Sequence, residues 1–538
     1  MTAVLDVQNL TVALPGGADR PYAVENLSLT VGKGELVCVV GESGSGKSVT
    51  SFTVMGLLPK TLKPTGGRIL LEGDDLLTKS PAQMRRMRGK NMAMIFQEPM
   101  TALNPVMRVS EQIEEVLEIH SDMSSADRRK RVIEVMEAVH LPDIPRLIDS
   151  YPHQLSGGQR QRVMIASALA LDPALLIADE PTTALDVTTQ AQILKLIKEL
   201  QVRRNTGVLF ITHDFGVVAE IADRVVVMQR GKVVEQGPVQ NILQNPREAY
   251  TKMLIGSVPS LTPANRPQIT DAPIVVETIG LKKIYKMGGF LQAKKEFRAA
   301  DDINLTVRRG ETLGVVGESG SGKSTVARCI SRLIDPTEGA IRIEGTDIAT
   351  VPVSKLRQNR KRIQIVFQDP FRSLNPRMTV GASIVEGPMN FGVSKKDAIE
   401  RARELMRLVK LDPNALDRFP HQFSGGQRQR ICIARALAME PEILIADEAV
   451  SALDVSVQHE VLKLLDEVRV KFNLAVLFIT HDLRVAAQIC HRIMVMQRGK
   501  VVEAGITADV FANPQHPYTK ALFDAAPGRN YEFAKFVA

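Results

Sequence analysis

The feature that most constrains the fold is one stretch that the chain carries twice. The first copy, HQLSGGQRQRVMIASALALDPALLIADEPTTALD, runs from His153 to Asp186, and the second, HQFSGGQRQRICIARALAMEPEILIADEAVSALD, runs from His421 to Asp454. Each begins with a Ser-Gly-Gly turn, continues as a helical run and ends as a short apolar strand that closes on Asp-Glu. These features suit a site that holds a polyphosphate and attacks it with water.

The repetition extends along the whole chain. A length of 538 residues is too great for one hydrophobic core. Three further motifs return in the same order: GESGSGKS at 41–48 and 317–324, IFQEPMTALNP at 95–105 as VFQDPFRSLNP at 366–376, and ITHD at 211–214 and 479–482. The sequence therefore predicts two copies of one domain.

Spacing separates a rigid part of each copy from a variable one. The interval from the Ser-Gly-Gly turn to ITHD is the same in both copies, whereas intervals upstream differ. Loops accept insertions and packed cores resist them, so the upstream regions, about 98–150 and 369–418, are predicted to be helical lobes. Between the copies, the proline-rich SVPSLTPANRPQITDAP is predicted to be an extended tether. The predicted domains are residues 1–256 and 274–538, with a linker at 257–273.

Short apolar runs between helical stretches indicate an α/β fold. The runs are ELVCVV (35–40), ETLGVV (311–316), LLIA (175–178), VLFIT (208–212) and RVVVM (224–228). Strands separated by helices favour a mainly parallel sheet with helices on both faces. The sequence shows neither an apolar run of bilayer length nor a signal peptide, so a cytoplasmic location is expected.

Composition narrows the range of partners. The four cysteines are scattered, form no CxxC pair and are expected to be buried reduced thiols. The net charge of +8 is compatible with nucleic acid or an anionic membrane surface, but Lys and Arg are spread through both halves. Aromatic residues make up only 4%, which leaves few platforms for stacking bases. We therefore favour the interpretation that these Lys and Arg side chains form an ordinary solvent-exposed surface.

The GESGSGKS motif follows a predicted strand, as a phosphate-binding loop requires. Its glycines let backbone N–H groups turn towards phosphates, its lysine is expected to reach the β and γ phosphates, and its last serine is expected to hold Mg²⁺. The alternative, a flexible glycine loop, is disfavoured by the preceding strand and by the duplication. The predicted nucleotide-binding residues are Gly41, Glu42, Ser43, Gly44, Ser45, Gly46, Lys47 and Ser48, and Gly317, Glu318, Ser319, Gly320, Ser321, Gly322, Lys323 and Ser324.

Two adjacent carboxylates end the apolar strand in each copy. Asp179 and Asp447 suit the coordination sphere of Mg²⁺. Glu180 and Glu448 are then placed to polarise the attacking water. Such a pair can instead cap a helix or face solvent, but its fixed distance from the phosphate loop and a histidine favours the catalytic interpretation.

Two further polar residues follow strands in each copy. His213 and His481 are expected to contact the γ phosphate and orient the water, or else to be structural histidines at a strand end. Gln97 and Gln368 precede an acid–proline turn. They either sense Mg²⁺ and the attacking water or only cap that turn.

The Ser-Gly-Gly-Gln turn predicts a second anion site. Its serine is expected to cap the following helix, and its glycines leave N–H groups open to an anion. This arrangement suits a turn that closes over a nucleotide held elsewhere. The residues are Ser156, Gly157, Gly158 and Gln159 in the first copy, and Ser424, Gly425, Gly426 and Gln427 in the second.

Together these motifs resemble those of the ATP-binding-cassette (ABC) family. The phosphate loop, Gln97, LSGGQ, Asp179-Glu180, ALD and His213 match its Walker A, Q-loop, signature, Walker B, D-loop and switch-histidine motifs, and the second copy matches likewise. The resemblance implies two tandem P-loop ATPase domains that use ATP and Mg²⁺. Each would have a mainly parallel sheet core, an antiparallel β part and a helical lobe.

Within this family the chain is similar to the ATPases of peptide-class importers (oligopeptide, dipeptide, nickel, glutathione). FQEPMTALNP, DEPTTALDV and the tails GPVQNILQNPREAYTKMLIGSVP and ANPQHPYTKALFDAAP carry this similarity. Two such ATPases fused in one chain is the layout of the glutathione-import type. The tail lacks the cysteines that sometimes hold an iron–sulfur cluster in this class, so no cluster is expected.

The resemblance also implies partners. The two copies would pair head to tail, so that each copy's phosphate loop faces the other copy's Ser-Gly-Gly-Gln turn. Closure of the copies on two ATP molecules would drive two transmembrane permease subunits. An extracytoplasmic solute-binding protein would deliver the solute to these subunits. The chain would be peripheral on the cytoplasmic face of the inner membrane, with no nucleic acid partner. Tyr285 is a candidate to stack on adenine in the second copy, with Leu14 and Tyr22 near that point in the first.

Two other functions are weighed. A tandem cassette ATPase that acts on ribosomes or DNA would carry a long charged insert or zinc-binding cysteines between the copies, and this chain has a short proline-rich tether. A non-hydrolysing nucleotide sensor is disfavoured because both copies keep every catalytic group. The second copy has Ala449-Val450 where the first has Pro181-Thr182, next to the predicted general base. Glu448 itself is retained, so two active sites are expected, equal or unequal in rate.

Overall fold

The computed structural model describes residues 3–183, 185–287, 295–451, 453–529, 531 and 533. It divides into two compact units. Unit 1 takes the residues up to Val258 together with the described residues from Ala525 on, and unit 2 runs from Pro259 to Asp524. Within these described ranges, no helix combines the length and the apolar character needed to cross a membrane.

Unit 1 alternates strands and helices along the chain. Its strands are β1 (Ala3–Ala13), β2 (Tyr22–Gly32), β3 (Leu36–Val40), β4 (Lys63–Leu71), β5 (Asp74–Asp75), β6 (Met92–Ile95), β7 (Leu175–Asp179), β8 (Gly207–Ile211), β9 (Arg224–Gln229) and β10 (Lys232–Pro238). Its helices are α1 (Lys47–Met55), α2 (Pro81–Met87), α3 (Pro99–Ala102), α4 (Val109–His120), α5 (Ser125–Ala138), α6 (Ile144–Leu147), α7 (Gly157–Ala168), α8 (Val187–Arg204), α9 (Phe215–Ile221), α10 (Val239–Gln244) and α11 (Ala249–Gly256).

Unit 2 repeats this order. Its strands are β11 (Ile274–Met287), β12 (Lys295–Arg308), β13 (Thr312–Val316), β14 (Glu338–Ile343), β15 (Thr346–Asp347), β16 (Ile363–Val366), β17 (Ile443–Asp447), β18 (Ala475–Thr480), β19 (Arg492–Gln497) and β20 (Lys500–Ile506). Its helices are α12 (Lys323–Ile330), α13 (Arg357–Arg362), α14 (Pro370–Ser373), α15 (Val380–Asn390), α16 (Lys395–Leu408), α17 (Gly425–Leu437), α18 (Val455–Phe472), α19 (Leu483–Ile489), α20 (Thr507–Ala512) and α21 (Pro517–Asp524).

Each unit is built on a six-stranded sheet and a four-stranded antiparallel sheet. The larger sheets have the orders β10-β9-β3-β8-β7-β6 and β20-β19-β13-β18-β17-β16, parallel except for the last hairpin of each unit. The smaller sheets have the orders β2-β1-β4-β5 and β12-β11-β14-β15. The predicted α/β class, with a mainly parallel core and an antiparallel part, is confirmed.

Strand β3 shows why these short apolar runs are buried. Val37 and Val39 pack with the antiparallel sheet, whereas Leu36, Cys38 and Val40 pack with the helices on the opposite face. Side chains alternate along a strand, so a run that is apolar at every position is buried on both faces. The strand ends at the phosphate loop and therefore delivers that loop to the carboxyl edge of the sheet.

The helical lobes and the cysteines follow the sequence predictions. Helices α4 and α5 form the lobe of unit 1, and α15 and α16 that of unit 2. The segment VSEQIEEVLEIH coincides with α4, whose Val109, Ile113 and Leu117 are buried. All four cysteines are buried free thiols, as expected for a reduced core.

The proline-rich segment is bound along unit 2. It contains no helix or strand between residues 259 and 273. Arg266 donates from Nε to the carbonyl oxygen of Gln488 at 3.0 Å, and Gln488 donates from Nε2 to the carbonyl oxygens of Ser260 and Thr262 at 2.8 and 3.0 Å. In unit 1 the carbonyl oxygen of Pro527 lies against Gly216 at the start of α9. The proline-rich segment from Pro259 on thus belongs to unit 2, and the described residues from Ala525 on belong to unit 1. The predicted domain bounds stay a prediction.

Candidate functional site

The phosphate loop of each unit is shaped by glycines that no other residue can replace without strain. Gly46 has a φ of +105°, and a Cβ there would lie 2.7 Å from the carbonyl oxygen of Ala23. Gly41 has a φ of +149°, and a Cβ would collide with the carbonyl oxygen of Met228. The loop leads directly into the N-terminus of α1, so its N–H groups and the helix dipole favour an anion there. The second loop repeats this geometry.

The loop lysines lie inside their loops. Lys47 donates from Nζ to the carbonyl oxygens of Gly41 and Glu42, at 2.7 and 2.9 Å. Lys323 makes the equivalent hydrogen bonds at 2.7 Å each. Both lysines are buried. An ammonium group at this position can exchange a carbonyl oxygen for a phosphate oxygen with a small movement.

A hydroxyl and a carboxylate, both predicted to hold Mg²⁺, meet beside each loop. Ser48 donates from Oγ to Asp179 Oδ1 at 3.1 Å, and Ser324 donates to Asp447 Oδ1 at 2.8 Å. Burial raises the pKa of Asp179 to about 6, against the hydrogen bond from Ser48, and burial also raises the pKa of Asp447. A buried carboxylate beside a hydroxyl is a hard oxygen donor set whose charged form a divalent cation would stabilise. These residues therefore fit Mg²⁺.

The carboxylate that follows each aspartate sits on a strained backbone. Glu180 and Glu448 have φ values of +46° and +51°, in the left-handed region. Their backbone N–H groups donate to the carbonyl oxygens of Ile211 and Ile479, at 2.9 and 3.0 Å. A non-glycine residue in this region costs about 1–3 kcal/mol and is held there by its surroundings, which is common at active sites.

In unit 1 three side chains hold the Glu180 carboxylate. His213 Nδ1 lies 3.2 Å from Oε1, Gln97 donates from Nε2 to Oε2 at 2.8 Å, and Thr183 donates from Oγ1 to Oε2 at 3.0 Å. Burial acts to raise the pKa of Glu180, but the hydrogen bond and charge of His213, with Lys47 and Thr183, lower it to about 2. The carboxylate is therefore ionised at neutral pH and is a ready hydrogen-bond acceptor.

In unit 2 the contacts around the equivalent carboxylate differ. His481 Nδ1 lies 3.2 Å from Glu448 Oε2. Ser451 donates from Oγ to the backbone carbonyl oxygen of Glu448 at 3.0 Å, and Gln368 donates to Ser451 Oγ at 3.4 Å. Burial again acts to raise the pKa of Glu448, and the contact with His481 lowers it overall. The pKa of His481 is raised in turn: burial acts to lower it, and Glu448 outweighs that effect.

The Ser-Gly-Gly-Gln turns start α7 and α17, and the predicted serine caps are confirmed. In unit 1, Ser156 Oγ accepts from the N–H of Gln159 at 3.3 Å, and Gln159 Oε1 accepts from the N–H of Ser156 at 2.9 Å. Unit 2 has the same reciprocal pair. A Cβ on Gly158 would lie 2.6 Å from Thr189 Cγ2, whereas nothing lies within 4 Å of one on Gly157. An anion-binding role for these turns stays a prediction.

The structure also places residues that sequence reasoning missed. Thr183 contacts Glu180, and Tyr250 and Tyr518 contact the phosphate loops. All three belong to segments that return at the constant spacing of the repeat, which is the signal that could have identified them. Tyr285, the candidate for stacking on adenine, is 39% exposed on β11, with Lys283 Nζ 5.1 Å from its ring centroid.

Two family models and several known proteins match this chain. A family model described as "ABC transporter" matches residues 24–183 and 300–451, and one described as "Oligopeptide/dipeptide transporter, C-terminal region" matches 234–283 and 502–533. The glutathione import ATP-binding protein GsiA of Escherichia coli (strain K12) is 46% identical over 560 residues, covering 97% of this chain and 89% of that protein. The protein of that name from Salmonella typhimurium is 46% identical over 557 residues, with the same coverage. A solved dimeric ATP-binding cassette bound to ADP and phosphate is 31% identical and covers 44% of this chain and 98% of its own, with a TM-score of 0.40.

Proposed function

The chain belongs to the ABC transporter family, and we propose that it is the ATPase subunit of an importer that takes up small peptides, with glutathione as the first candidate solute. The similarity to glutathione import proteins extends over nearly the whole chain, including the C-terminal region of both copies. Two permease subunits in the membrane and an extracytoplasmic solute-binding protein would complete the importer. The chain would then lie on the cytoplasmic face of the membrane.

The contact network around Glu180 carries the catalytic part of the proposal. Attack by water on the γ phosphorus requires an acceptor for the proton of the water, and the ionised Glu180 carboxylate can take that role. His213 and Gln97 hold its two oxygens and can orient it towards the water. Glu448, with His481 beside it, would act equivalently in unit 2.

The basicity of Glu180 depends on groups that are themselves expected to contact phosphate. Lys47 and His213 both lower the pKa of this carboxylate. Phosphate oxygens that engage Lys47 and His213 would weaken that effect, so Glu180 would become a better proton acceptor when ATP is bound. Mg²⁺, held by Ser48 and Asp179 and approached by Gln97, would neutralise phosphate charge, and Ser324, Asp447 and Gln368 would hold it in the second copy.

The two Ser-Gly-Gly-Gln turns would complete the sites. We propose that the turn of each copy binds the phosphates held by the other copy's loop, so that the copies pair head to tail. The open space at Gly157 and the serine-capped helix start suit an approaching anion. In this arrangement neither copy is a complete ATPase by itself.

The ATPase proposal is tested by the double variant E180Q/E448Q. We expect steady-state phosphate release to fall by roughly 10²–10⁴-fold, the range for loss of a general base, while ATP still binds. A matched control is E118Q/E386Q, which makes the same change at two exposed glutamates of the helical lobes. Near-normal turnover in E180Q/E448Q would reject these residues as the catalytic bases.

The import proposal needs a separate experiment. The chain would be purified from its native membranes with a mild detergent, and co-purifying polytopic proteins would be identified by mass spectrometry. Reconstituted complexes would then be assayed for ATP-dependent uptake of labelled glutathione, with unlabelled dipeptides and Ni²⁺ as competitors. Uptake of glutathione that dipeptides do not inhibit would support the proposed solute, whereas selective uptake of another solute would reject it.

A further inference from the structure

We propose that Tyr250 and Tyr518 are positioning residues that hold the phosphate loops in their nucleotide-binding shape. Each tyrosine lies on the last helix of its copy, α11 or α21, within the C-terminal region that matches oligopeptide transporters. The inference rests on the proposed ATP-binding role of the loops. It assigns to this C-terminal region a supporting part in ATP binding, exerted through the shape of the loops.

The contacts are with the second residue of each loop. The hydroxyl of Tyr250 accepts a hydrogen bond from the backbone N–H of Glu42 at 3.2 Å and donates to Glu42 Oε2 at 3.3 Å. The hydroxyl of Tyr518 accepts from the backbone N–H of Glu318 at 3.1 Å. Tyr518 is only 9% exposed, so its side chain is buried in the core.

The helices that carry the tyrosines are anchored to the same sheet as the loops. Glu235 of β10 accepts from the backbone N–H groups of Arg247 and Glu248, at 2.8 and 3.2 Å, just before α11. Glu503 of β20 accepts from the backbone N–H groups of Gln515 and His516, at 2.8 and 3.0 Å, just before α21. Strand β10 pairs with β9, which pairs with β3, the strand that runs into the loop. Each tyrosine is therefore fixed relative to its loop.

The tyrosine and the loop lysine hold opposite sides of one residue. Tyr250 binds the N–H of Glu42, and Lys47 binds its carbonyl oxygen at 2.9 Å. If Lys47 turns to a phosphate oxygen, the tyrosine still restrains Glu42 through its backbone N–H. Without the hydrogen bond to the tyrosine, the loop would be less ordered, and ordering it so that its N–H groups face phosphate would cost binding free energy. The effect of the tyrosine should therefore appear in ATP affinity and not in proton transfer at Glu180.

The test compares Y250F, Y518F and the double variant in the full-length chain. Each change removes one oxygen and keeps the ring. We expect the KM and the Kd for MgATP to rise about threefold to tenfold, the equivalent of one lost hydrogen bond, while kcat stays within about twofold. The matched control is Y531F, which removes a hydroxyl from a tyrosine of unit 1 that packs on Phe533 with ring centroids 5.0 Å apart. An unchanged KM, a loss confined to kcat, or the same shift in Y531F would overturn the inference.

Amide hydrogen exchange provides a readout that does not depend on turnover. In the unmodified chain the amides of Glu42 and Glu318 should be protected, and in each Phe variant the amide of that loop should exchange faster. Rapid exchange of both amides in the unmodified chain would overturn the inference even if the variants failed to fold. ATP binding by the unmodified chain is measured first: its absence would reject the proposed function, whereas binding without any shift in the variants would reject only the role of the tyrosines.

Discussion

The clusters around Glu180 in unit 1 and Glu448 in unit 2 have the same backbone conformation, and they differ in how firmly they hold the carboxylate that we propose as the catalytic base. Both have the loop lysine on two carbonyl oxygens, the serine–aspartate pair and a histidine 3.2 Å from the glutamate. They differ one turn later: Thr183 donates to the side chain of Glu180, whereas Ser451 donates to the backbone carbonyl oxygen of Glu448. The repeat thus preserves the position of these groups, and we propose that Thr183 and Ser451 give the two carboxylates different orientations.

The single variants E180Q and E448Q test this comparison directly. Each should lower hydrolysis at its own site by about 10²–10⁴-fold, because it removes the proton acceptor. We expect E180Q to leave the smaller residual turnover, since Glu180 is the more firmly oriented base and its site should carry more of the flux. Phosphate release at saturating MgATP measures the two residual rates. Equal losses would show that the extra contacts in unit 1 do not matter for catalysis.

A second difference lies at the start of the strand that leads to each loop. In unit 1, Asp223 Oδ2 accepts from the N–H of Leu36 at 2.8 Å. In unit 2 the equivalent residue is His491, whose Nδ1 accepts from the N–H of Thr312 at 3.1 Å. Burial, with the charges of Arg469 and Arg266, lowers the pKa of His491 to about 4. A histidine can make this contact only while Nδ1 is unprotonated.

Acid should therefore weaken unit 2 through His491. Below pH 6.5 this histidine is protonated in the unfolded chain, whereas in the folded chain it stays unprotonated until the pH falls to about 4. The free energy of unfolding of unit 2 should fall as the pH drops through that window, by about 2 kcal/mol at pH 5. Urea denaturation at pH 7.5 and pH 5 measures this loss of stability. Hydrogen exchange, followed on peptides from unit 2, shows that the loss occurs in that unit.

The control for this prediction is H491D, which installs the residue of unit 1. A carboxylate accepts the hydrogen bond of the Thr312 N–H in its ordinary ionised form, and Arg266 and Arg469 would face it with opposite charge. We expect H491D to lose most of the difference between pH 7.5 and pH 5. The same pH dependence in H491D and in the unmodified chain would show that other groups cause it.

Thr183 and Ser451 provide a smaller test of the catalytic comparison. T183A removes a hydrogen bond to a charged oxygen of Glu180, and we expect turnover at that site to fall about tenfold, which is equivalent to about 1.4 kcal/mol. S451A removes a hydrogen bond to a backbone carbonyl oxygen and should change turnover by less than about threefold. T183S, which restores the hydroxyl, should recover most of the activity. Similar losses in T183A and S451A would contradict the assignment of different roles.

The parts of the fold that the sequence predicted are those set by local pattern. Strand β3 is apolar at every position, β7 is apolar up to its last residue, Asp179, and both are buried along their whole length. Helix α4 coincides with its predicted segment. The phosphate loop was predictable because its spacing of glycines admits few other backbones. The serine caps were predictable because a Ser followed by Gln three residues later forms a reciprocal pair with backbone N–H groups.

The parts that the sequence did not predict depend on contacts between distant segments. The tyrosine on α11 reaches Glu42 from far along the chain, and no local periodicity marks that contact. The proline-rich segment lacks periodicity altogether, so its attachment to Gln488 could not be read from its own residues. The difference between Thr183 and Ser451 depends on the rotamer of a hydroxyl, which identical spacing cannot distinguish.

The smallest expected effect concerns two core positions at which the units carry side chains of opposite size. Cys38 on β3 corresponds to Gly314 on β13, and Ala222 after α9 corresponds to Cys490 after α19. A Cβ on Gly314 would lie 2.6 Å from Cys490 Sγ, so the sulfur of Cys490 fills the space beside that glycine. G314A should therefore overpack unit 2 and lower its free energy of unfolding by about 1 kcal/mol.

The double variant G314A/C490A decides whether these two positions compensate each other. C490A alone should destabilise unit 2 because it leaves a small cavity beside Gly314, but in the double variant the added methyl group occupies part of that space. The double-mutant cycle, measured by urea denaturation, should give a favourable coupling free energy of about 1 kcal/mol. The corresponding change A222C in unit 1 should be unfavourable, because unit 1 already has a buried cysteine side chain, Cys38, where unit 2 has Gly314. If the effects of G314A and C490A were additive, the two positions would not compensate each other. The difference in sequence between the two cores would then have another cause.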